Sequence, residues 1–292
     1  MSHFRTGPFV LVVLVVLVAA LAIAVSASAL DLEETRRRAT TGDMRAQNDL
    51  GLAYHHGDGI EQDAFEAFRW YSAAASQGLA TAQYNLGLLY DEGSGVARDA
   101  TQAGRWYRAA AEQGLAIAQN NLALLYERGE GVEKNDVVAA RWYRAAAEQG
   151  LALSQYNLGL AYQTGRGLAQ SYEQAAEWYR KAAEQDLVEA AHALGMLYDL
   201  GKGVSKDPRE ASAWYRRAAE AGDSVARYII GVRYLEGDGV AREPLKAYLW
   251  LSLAVAGGIE HAAGPRDEAA AAISPRDIEA ALGLPRPPIA AK

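Results

Sequence analysis

Three features of the sequence predict an all-α solenoid of six 36-residue helix-turn-helix repeats with terminal caps. The six tryptophans fall at Trp70, Trp106, Trp142, Trp178, Trp214 and Trp250, each 36 residues from the next. Tyr54, Tyr90, Tyr126, Tyr162, Tyr198 and Tyr234 keep the same period, and so do six Gly-x-Gly triplets that begin at Gly57, Gly93, Gly129, Gly165, Gly201 and Gly237. A fixed period of this length in unrelated residue types marks stacked supersecondary units, none able to bury its apolar face alone.

Within a unit, apolar or small residues recur at helical spacing before each tyrosine, as in Ala46, Leu50 and Tyr54 or Ala82, Leu86 and Tyr90. This is helix A. A glycine follows the central leucine at Gly51, Gly87 and Gly159, and recurs at Gly195 and Gly231, with Ala123 as the one substitute. Glycine costs about 1 kcal/mol inside a helix, so a repeated glycine marks a close helix crossing. The Gly-x-Gly triplet then supplies the left-handed backbone of a helix end. Ile60, Val96, Val132, Leu168, Val204 and Val240 follow as plugs that anchor the turn. Helix B starts at a capping residue, Asp63, Asp99, Asn135, Ser171 or Asp207, with the weaker Glu243 in the sixth unit. Pro208 and Pro244 stand in the first helical turn, where proline is tolerated. The spacing of Ala67, Trp70 and Ala74 puts them on one face of helix B, so the tryptophans are the expected core, and Trp142→Ala is expected to cost about 3–5 kcal/mol.

The ends depart from the repeat. Residues 1–29 read as a targeting segment, with Arg5 ahead of a 17-residue apolar run from Phe9 to Val25 and small residues at Ala27-Ser28-Ala29. Cleavage after Ala29 is the favoured outcome and an uncleaved membrane anchor the alternative; both place the remainder outside the cytoplasm, in the periplasm or secreted. Residues 30–42 have the phase of a degenerate helix B, with Glu34 in the tryptophan position and Arg36, Arg37 and Arg38 on a solvated face. That polarity suits the open end of a solenoid. Six units occupy 43–258. Residues 259–284 form a helical C-terminal cap, in which Ser274-Pro275 starts the last helix, and 285–292, with Pro285-Arg286-Pro287-Pro288, form an extended, disordered tail.

Composition narrows the function. Removing residues 1–29 leaves 28 basic against 36 acidic side chains, a formal charge of −8, which argues against nucleic acid or an anionic membrane surface as the main ligand. Membrane contact is then limited to residues 1–29, if they are retained. There is no cysteine, hence no disulfide and no thiol nucleophile. No nucleophile-elbow or P-loop spacing occurs, so no catalytic or cofactor-binding residues are expected. A metal reading of the adjacent His55 and His56 needs a third ligand, and only Asp58 is near in sequence, so no metal is expected either.

The pattern LG..Y..G.GV..D...A..WY..AA.QG, repeated six times over about three-quarters of the chain, resembles the Sel-one-like repeat (SLR) family, relatives of the tetratricopeptide repeats. Ala123, Asp186 in place of the closing glycine, and Leu251 in place of the tyrosine after tryptophan are the departures. The resemblance implies a right-handed alpha-alpha superhelix of antiparallel helix pairs that acts as a protein-binding adaptor, with no catalytic residues to carry over. It also implies that the face of helix A opposite Ala46, Leu50 and Tyr54 lines a concave groove. At about 100° per residue that face carries Asn48, Tyr84, Asn120, Tyr156, His192 and Tyr228, beside Asn85, Asn121 and Asn157. A neighbouring column reads Leu52, Leu88, Leu124, Leu160, Met196 and Val232. Asparagine amides suit an extended peptide backbone and tyrosines supply rigid contact area. The other reading is that these residues fill space or form ladders between successive helices A. Asp91, Glu92, Glu127, Asp199 and Glu236, near the ends of helix A, would bias the groove towards basic ligands. The expected function is a non-enzymatic cell-envelope adaptor for a protein or peptide; the alternative is an envelope hydrolase or ligand-binding enzyme acting on cell-wall material.

Overall fold

The protein is described by a computed structural model covering residues 31–281; the expected targeting segment and tail lie outside the described residues. The described chain is helical without strands and divides into two compact units at the Lys134–Asn135 boundary. The first holds α1 (31–40), α2 (Met44–His56), α3 (Ala64–Ser76), α4 (Ala80–Glu92), α5 (Ala100–Glu112) and α6 (Ala116–Arg128). The second holds α7 (Asp136–Glu148), α8 (Ala152–Thr164), α9 (Tyr172–Glu184), α10 (Val188–Leu200), α11 (Pro208–Glu220), α12 (Ser224–Glu236) and α13 (Pro244–Ala256). A 3-10 turn (Glu260–Ala262), α14 (Ala263–Ala271) and α15 (Pro275–Ala281) complete it. No described helix is long and apolar enough to cross a membrane. Within each unit consecutive helices pack as antiparallel pairs, the solenoid that the period predicts.

The local chemistry of each repeat explains its boundaries. Asp63, Asp99 and Asp207 each cap helix B by accepting two backbone N–H bonds, and Asn135 and Ser171 accept one. Glu243 makes no such bond. Helix A ends at the first glycine of the triplet in left-handed conformation, φ 71° at Gly165. The capping N–H then bonds back to the last tyrosine carbonyl of helix A, as Ser171 does to Tyr162 at 3.0 Å, closing the turn. The second glycine does something the first does not. A Cβ on Gly167 would lie 1.9 Å from the carbonyl oxygen of Asp136, at the start of the preceding helix B, and Gly131, Gly203 and Gly239 make equivalent approaches. The triplet is therefore both a helix stop and the point of backbone contact between successive repeats.

The helix-A glycine column has the close crossing expected of it. A Cβ on Gly51, Gly87 or Gly159 would come within 2.7 Å of the ring of Tyr71, Tyr107 or Tyr179 on the paired helix B, and Gly231 meets Leu251 in the same way. This corrects the expected core. Tyr71, Tyr107, Tyr143, Tyr179 and Tyr215 are 0–3% exposed, whereas the preceding tryptophans, Trp142 among them, are half-buried. Trp70 and Trp214 even bury their Nε1 without a hydrogen-bond partner, which offsets part of what their area contributes. The tyrosine fills the hole above the glycine, and the tryptophan lies over the seam beside it.

One core position breaks the pattern. Arg233 takes the place of the buried Leu89, Leu125 and Leu197, with its side chain 8% exposed. Its guanidinium bonds Asp199, Ser212 Oγ at 3.0 Å and the Pro208 carbonyl at 3.1 Å, approaches Asp238 at 3.3 Å, and lies 5.4 Å from the Tyr215 ring centre. Because removing one partner of a buried pair strands the other, Arg233→Met is expected to cost about 2–4 kcal/mol, and adding Asp199→Gln should recover most of it. Urea denaturation of the single and double variants checks this; equal loss in both would show that Asp199 is not the partner that matters.

Candidate functional site

The candidate residues lie on helices A, and burial divides them. In the first unit Tyr84, Asn85 and Asn121 are half-buried, but Asn48 is 7% and Asn120 0% exposed, so the expectation that these two meet a ligand is corrected. They serve as internal rungs. Asn85 donates to Asn48 at 3.0 Å and Asn120 to Asn121 at 3.4 Å, while the Asn121 side chain also bonds the phenols of Tyr84 and Tyr107. The Tyr84 and Tyr107 rings stand 5.8 Å apart. The Asn85–Asn48 and Asn121–Tyr84 bonds form a ladder between successive helices A, while Asn120–Asn121 is a contact within α6. Such a ladder satisfies the amides that a dry interface would otherwise penalise.

In the second unit Tyr156 and Asn157 are half-buried, and the Tyr156 ring lies 5.6 Å from Tyr179. His192 Nδ1 is 2.6 Å from Asp223 Oδ2, and its ring meets Tyr215 edge-on at 5.6 Å. Tyr228 packs edge-on against His261 at 4.6 Å. Asp223 also caps α12 through its other oxygen. Burial alone would raise the Asp223 pKa, but the His192 ring and the Ala226 and Val225 N–H groups outweigh it and hold the carboxyl below the usual aspartate value. A depressed folded pKa contributes stability above the ordinary aspartate pKa, about 4, that is lost as pH falls through the lower folded value. The melting-temperature advantage of the parent over Asp223→Asn should therefore be full at pH 6 and shrink below pH 4; a gap independent of pH would contradict the pairing.

Burial pushes the phenols of Tyr84, Tyr107, Tyr156 and Tyr179 above their usual pKa, opposed at Tyr84 and Tyr107 by the Asn121 bond. They remain neutral donors at any physiological pH. The acidic bias is smaller than the sequence implies. Asp91 lies 3.5 Å from the Tyr107 hydroxyl and 3.9 Å from Arg98, and Asp199 is engaged by Arg233, which leaves Glu92 and Glu236 as exposed acids on these helix ends. The apolar side chains beside the polar ladder, Leu52, Leu88 and Leu124 in the first unit and Leu160 and Val232 in the second, are half-buried, and Met196 is 38% exposed. Among the described residues no three His, Cys, Asp or Glu side chains come together as a metal site; His55 and His56 stack edge-on at 4.8 Å.

A second column escaped the sequence reading. Gln47, Gln83, Gln119 and Gln155 are 5–7% exposed and donate to carbonyls at the end of the preceding helix B, those of Ala39, Ala75, Ala111 and Ala147, at 3.1–3.3 Å. Gln77, Gln113 and Gln185, at the end of the following helix B, donate in turn to Gln47, Gln83 and Gln155 at 2.7–2.8 Å. Four glutamines in one phase are visible in the sequence, but their burial shows only in the packing of helix A on the end of the preceding helix B.

Comparison with known proteins agrees with this geometry. A model of the Sel1 repeat matches six times, over residues 45–79, 80–115, 116–151, 152–187, 188–223 and 224–259. Among solved structures the chain is similar to a protective antigen present in uropathogenic Escherichia coli strains displaying an SLR fold, at 34% identity and TM-score 0.79 over 88% of this chain and 54% of that one. The chain thus spans about half the length of that relative. It is also similar to a Sel1 repeat protein from Oxalobacter formigenes, at 36% identity and TM-score 0.66 over 74% of this chain and 84% of that one. No curated protein matches. With six family repeats covering most of its length and two solved relatives above 30% identity, the chain belongs to the Sel1 repeat family.

Proposed function

We propose that the protein is a non-enzymatic scaffold that binds a partner protein, through an extended segment, on the exposed face of its helices A. The Sel1 repeat solenoid is a fold commonly used as a protein-interaction scaffold, which supports this class of function. The observation that carries the specific reading is the row of half-buried Leu52, Leu88 and Leu124, each keeping part of its side chain at the surface, beside the equally half-buried Tyr84, Asn85 and Asn121 in the first unit. Apolar side chains left open next to an ordered amide ladder offer contact area and backbone hydrogen bonding together. Rigid, pre-paired side chains also reduce the ordering cost of binding. The targeting character of residues 1–29 supports action in the cell envelope, the region being exported and then either released or held by an uncleaved anchor.

With Asp91 and Asp199 already held by neighbouring side chains, binding is expected to be led by apolar and amide contacts. Raising salt from 0.1 to 0.5 M should change the affinity of a captured peptide by less than about threefold; a steeper loss would assign the main role to Glu92 and its neighbours. The alternative, a hydrolase acting on cell-wall material, rests on the His192–Asp223 pair alone, whose ring neighbour is a buried phenol rather than a nucleophile.

A further inference from the structure

The outer face of helix B changes character in the last repeat. Leu249 stands where the five earlier repeats carry Arg69, Arg105, Arg141, Glu177 and Ala213, and Leu253 where the two preceding repeats carry Lys181 and Arg217. This face of α13 belongs to the last repeat before the C-terminal cap. Here it exposes Leu253 by 45%.

A lost contact accompanies the change. In α5, α7 and α9 an outward arginine donates to the hydroxyl of the tyrosine that ends the next helix A: Arg108 to Tyr126, Arg144 to Tyr162 and Arg180 to Tyr198. Arg216 holds that register against Tyr234 but turns to Glu220 at 3.9 Å, and the Tyr234 ring is met instead by the Lys246 ammonium, 5.3 Å from its centre. With the guanidinium turned aside, and with Ser252 where α5, α7, α9 and α11 carry arginine, the space stays open as a cavity of about 630 Å³. Its walls include Tyr234, Leu249, Trp250 and Leu253, and Arg216 and Lys246 supply cations from α11 and α13.

We propose that this cavity binds a single amphipathic anion, an alkyl chain ending in a carboxylate. The volume lies within the range of about 300–1,000 Å³ typical of small-ligand sites. Four apolar or aromatic side chains take the alkyl chain out of water. The two cations meet the head group, Lys246 from an exposed pair with Glu243 at 2.9 Å that leaves two of its donors free, and arginine suits a carboxylate because its planar fork donates two parallel bonds. Glu220 is the one acid among the described lining residues, and at 3.9 Å, with both side chains more than half exposed, it holds Arg216 weakly enough for a ligand carboxylate to displace it. A cationic head group would face Arg216 and Lys246 instead. The site is formed wholly within the second unit and uses none of the helix-A residues proposed for partner binding.

The test is calorimetric titration of the purified protein with dodecanoate below its self-association concentration, beside dodecyltrimethylammonium, which has the same chain and the opposite charge. One-to-one saturable binding of dodecanoate, at least about tenfold tighter than the cation, is expected. Leu249→Arg, which restores the residue of the first three repeats, should weaken dodecanoate at least about tenfold with an unchanged melting curve. If that variant does not fold, Leu253→Glu at the exposed edge carries the same expectation. Arg216→Gln with Lys246→Gln should weaken dodecanoate about tenfold and not weaken the cation, whose like-charge repulsion it removes. Absence of saturable binding, equal affinity for the cation, or full binding by a folded Leu249→Arg or Leu253→Glu variant would overturn the assignment.

Discussion

Gly167→Ala is expected to destabilise the second unit by more than about 3 kcal/mol, whereas Gly165→Ala, two residues earlier in the same triplet, should cost about 1–2 kcal/mol. The backbone conformations are nearly alike, φ 71° and 73°, so the left-handed penalty for alanine is shared. Surroundings decide the difference. A Cβ at position 165 would stop 3.3 Å from the Gln170 Cβ, a tight contact that a small shift relieves, but at position 167 it would sit 1.9 Å from the Asp136 oxygen and 2.3 Å from its carbonyl carbon. Backbone cannot move aside without separating α7 from the turn that packs on it. Because neighbouring repeats unfold semi-independently, the comparison belongs to the first transition in a urea titration rather than to a global midpoint. Equal losses would mean that the triplet is only a helix stop and that repeats meet elsewhere.

Tyr179→Ala should cost about 3–5 kcal/mol and Trp178→Ala only about 1–2 kcal/mol, although tryptophan is the larger residue and the more conspicuous in sequence. Tyr179 is 1% exposed, fits over Gly159, and donates its hydroxyl to Gln163 at 2.8 Å. Deleting its ring leaves a cavity that the helix crossing cannot close. Trp178 is half-buried with the Lys181 ammonium 4.1 Å from its ring centre, so truncation opens space at the surface rather than in the interior. Tyr179→Phe, which loses only the hydrogen bond, should cost about 1 kcal/mol. The reverse order, tryptophan above tyrosine, would show that the seam rather than the crossing holds a repeat together.

The sequence revealed the repeat, the helix pairs, their caps and their glycine stops because each is set by local chemistry recurring in phase. Asp63 or Asp207 can be read as a cap without knowing what lies beyond it. Interactions between repeats were harder. The periodicity marked Trp70, Tyr71 and the buried Gln47 column alike, and only the crossing geometry shows that the tyrosine fills the glycine hole while the glutamine closes the end of the preceding helix B. The candidate face was legible as a set of columns but not as burial. Asn48 and Asn120 share a helical face with Tyr84, yet a ladder of amides draws them inward and leaves Tyr84, Asn85 and Asn121 nearer the surface. Arg233 was invisible as a core residue because an arginine reads as surface until Asp199, Ser212 and the Pro208 carbonyl are found around it.

The central claim is that a partner protein docks on the helix-A face, and the most direct measurement is capture from envelope extract by residues 30–292, beside a Tyr84→Ala, Tyr156→Ala, Tyr228→Ala variant with the parent's helical spectrum. These three half-buried rings lie on the candidate face, and removing them reduces its contact area while leaving the buried Tyr107, Tyr179 and Tyr215 in place. A protein retained by the parent and lost, or weakened at least about tenfold, by the folded variant is the predicted result. Equal retention by both would contradict the account and move the binding surface off helix A.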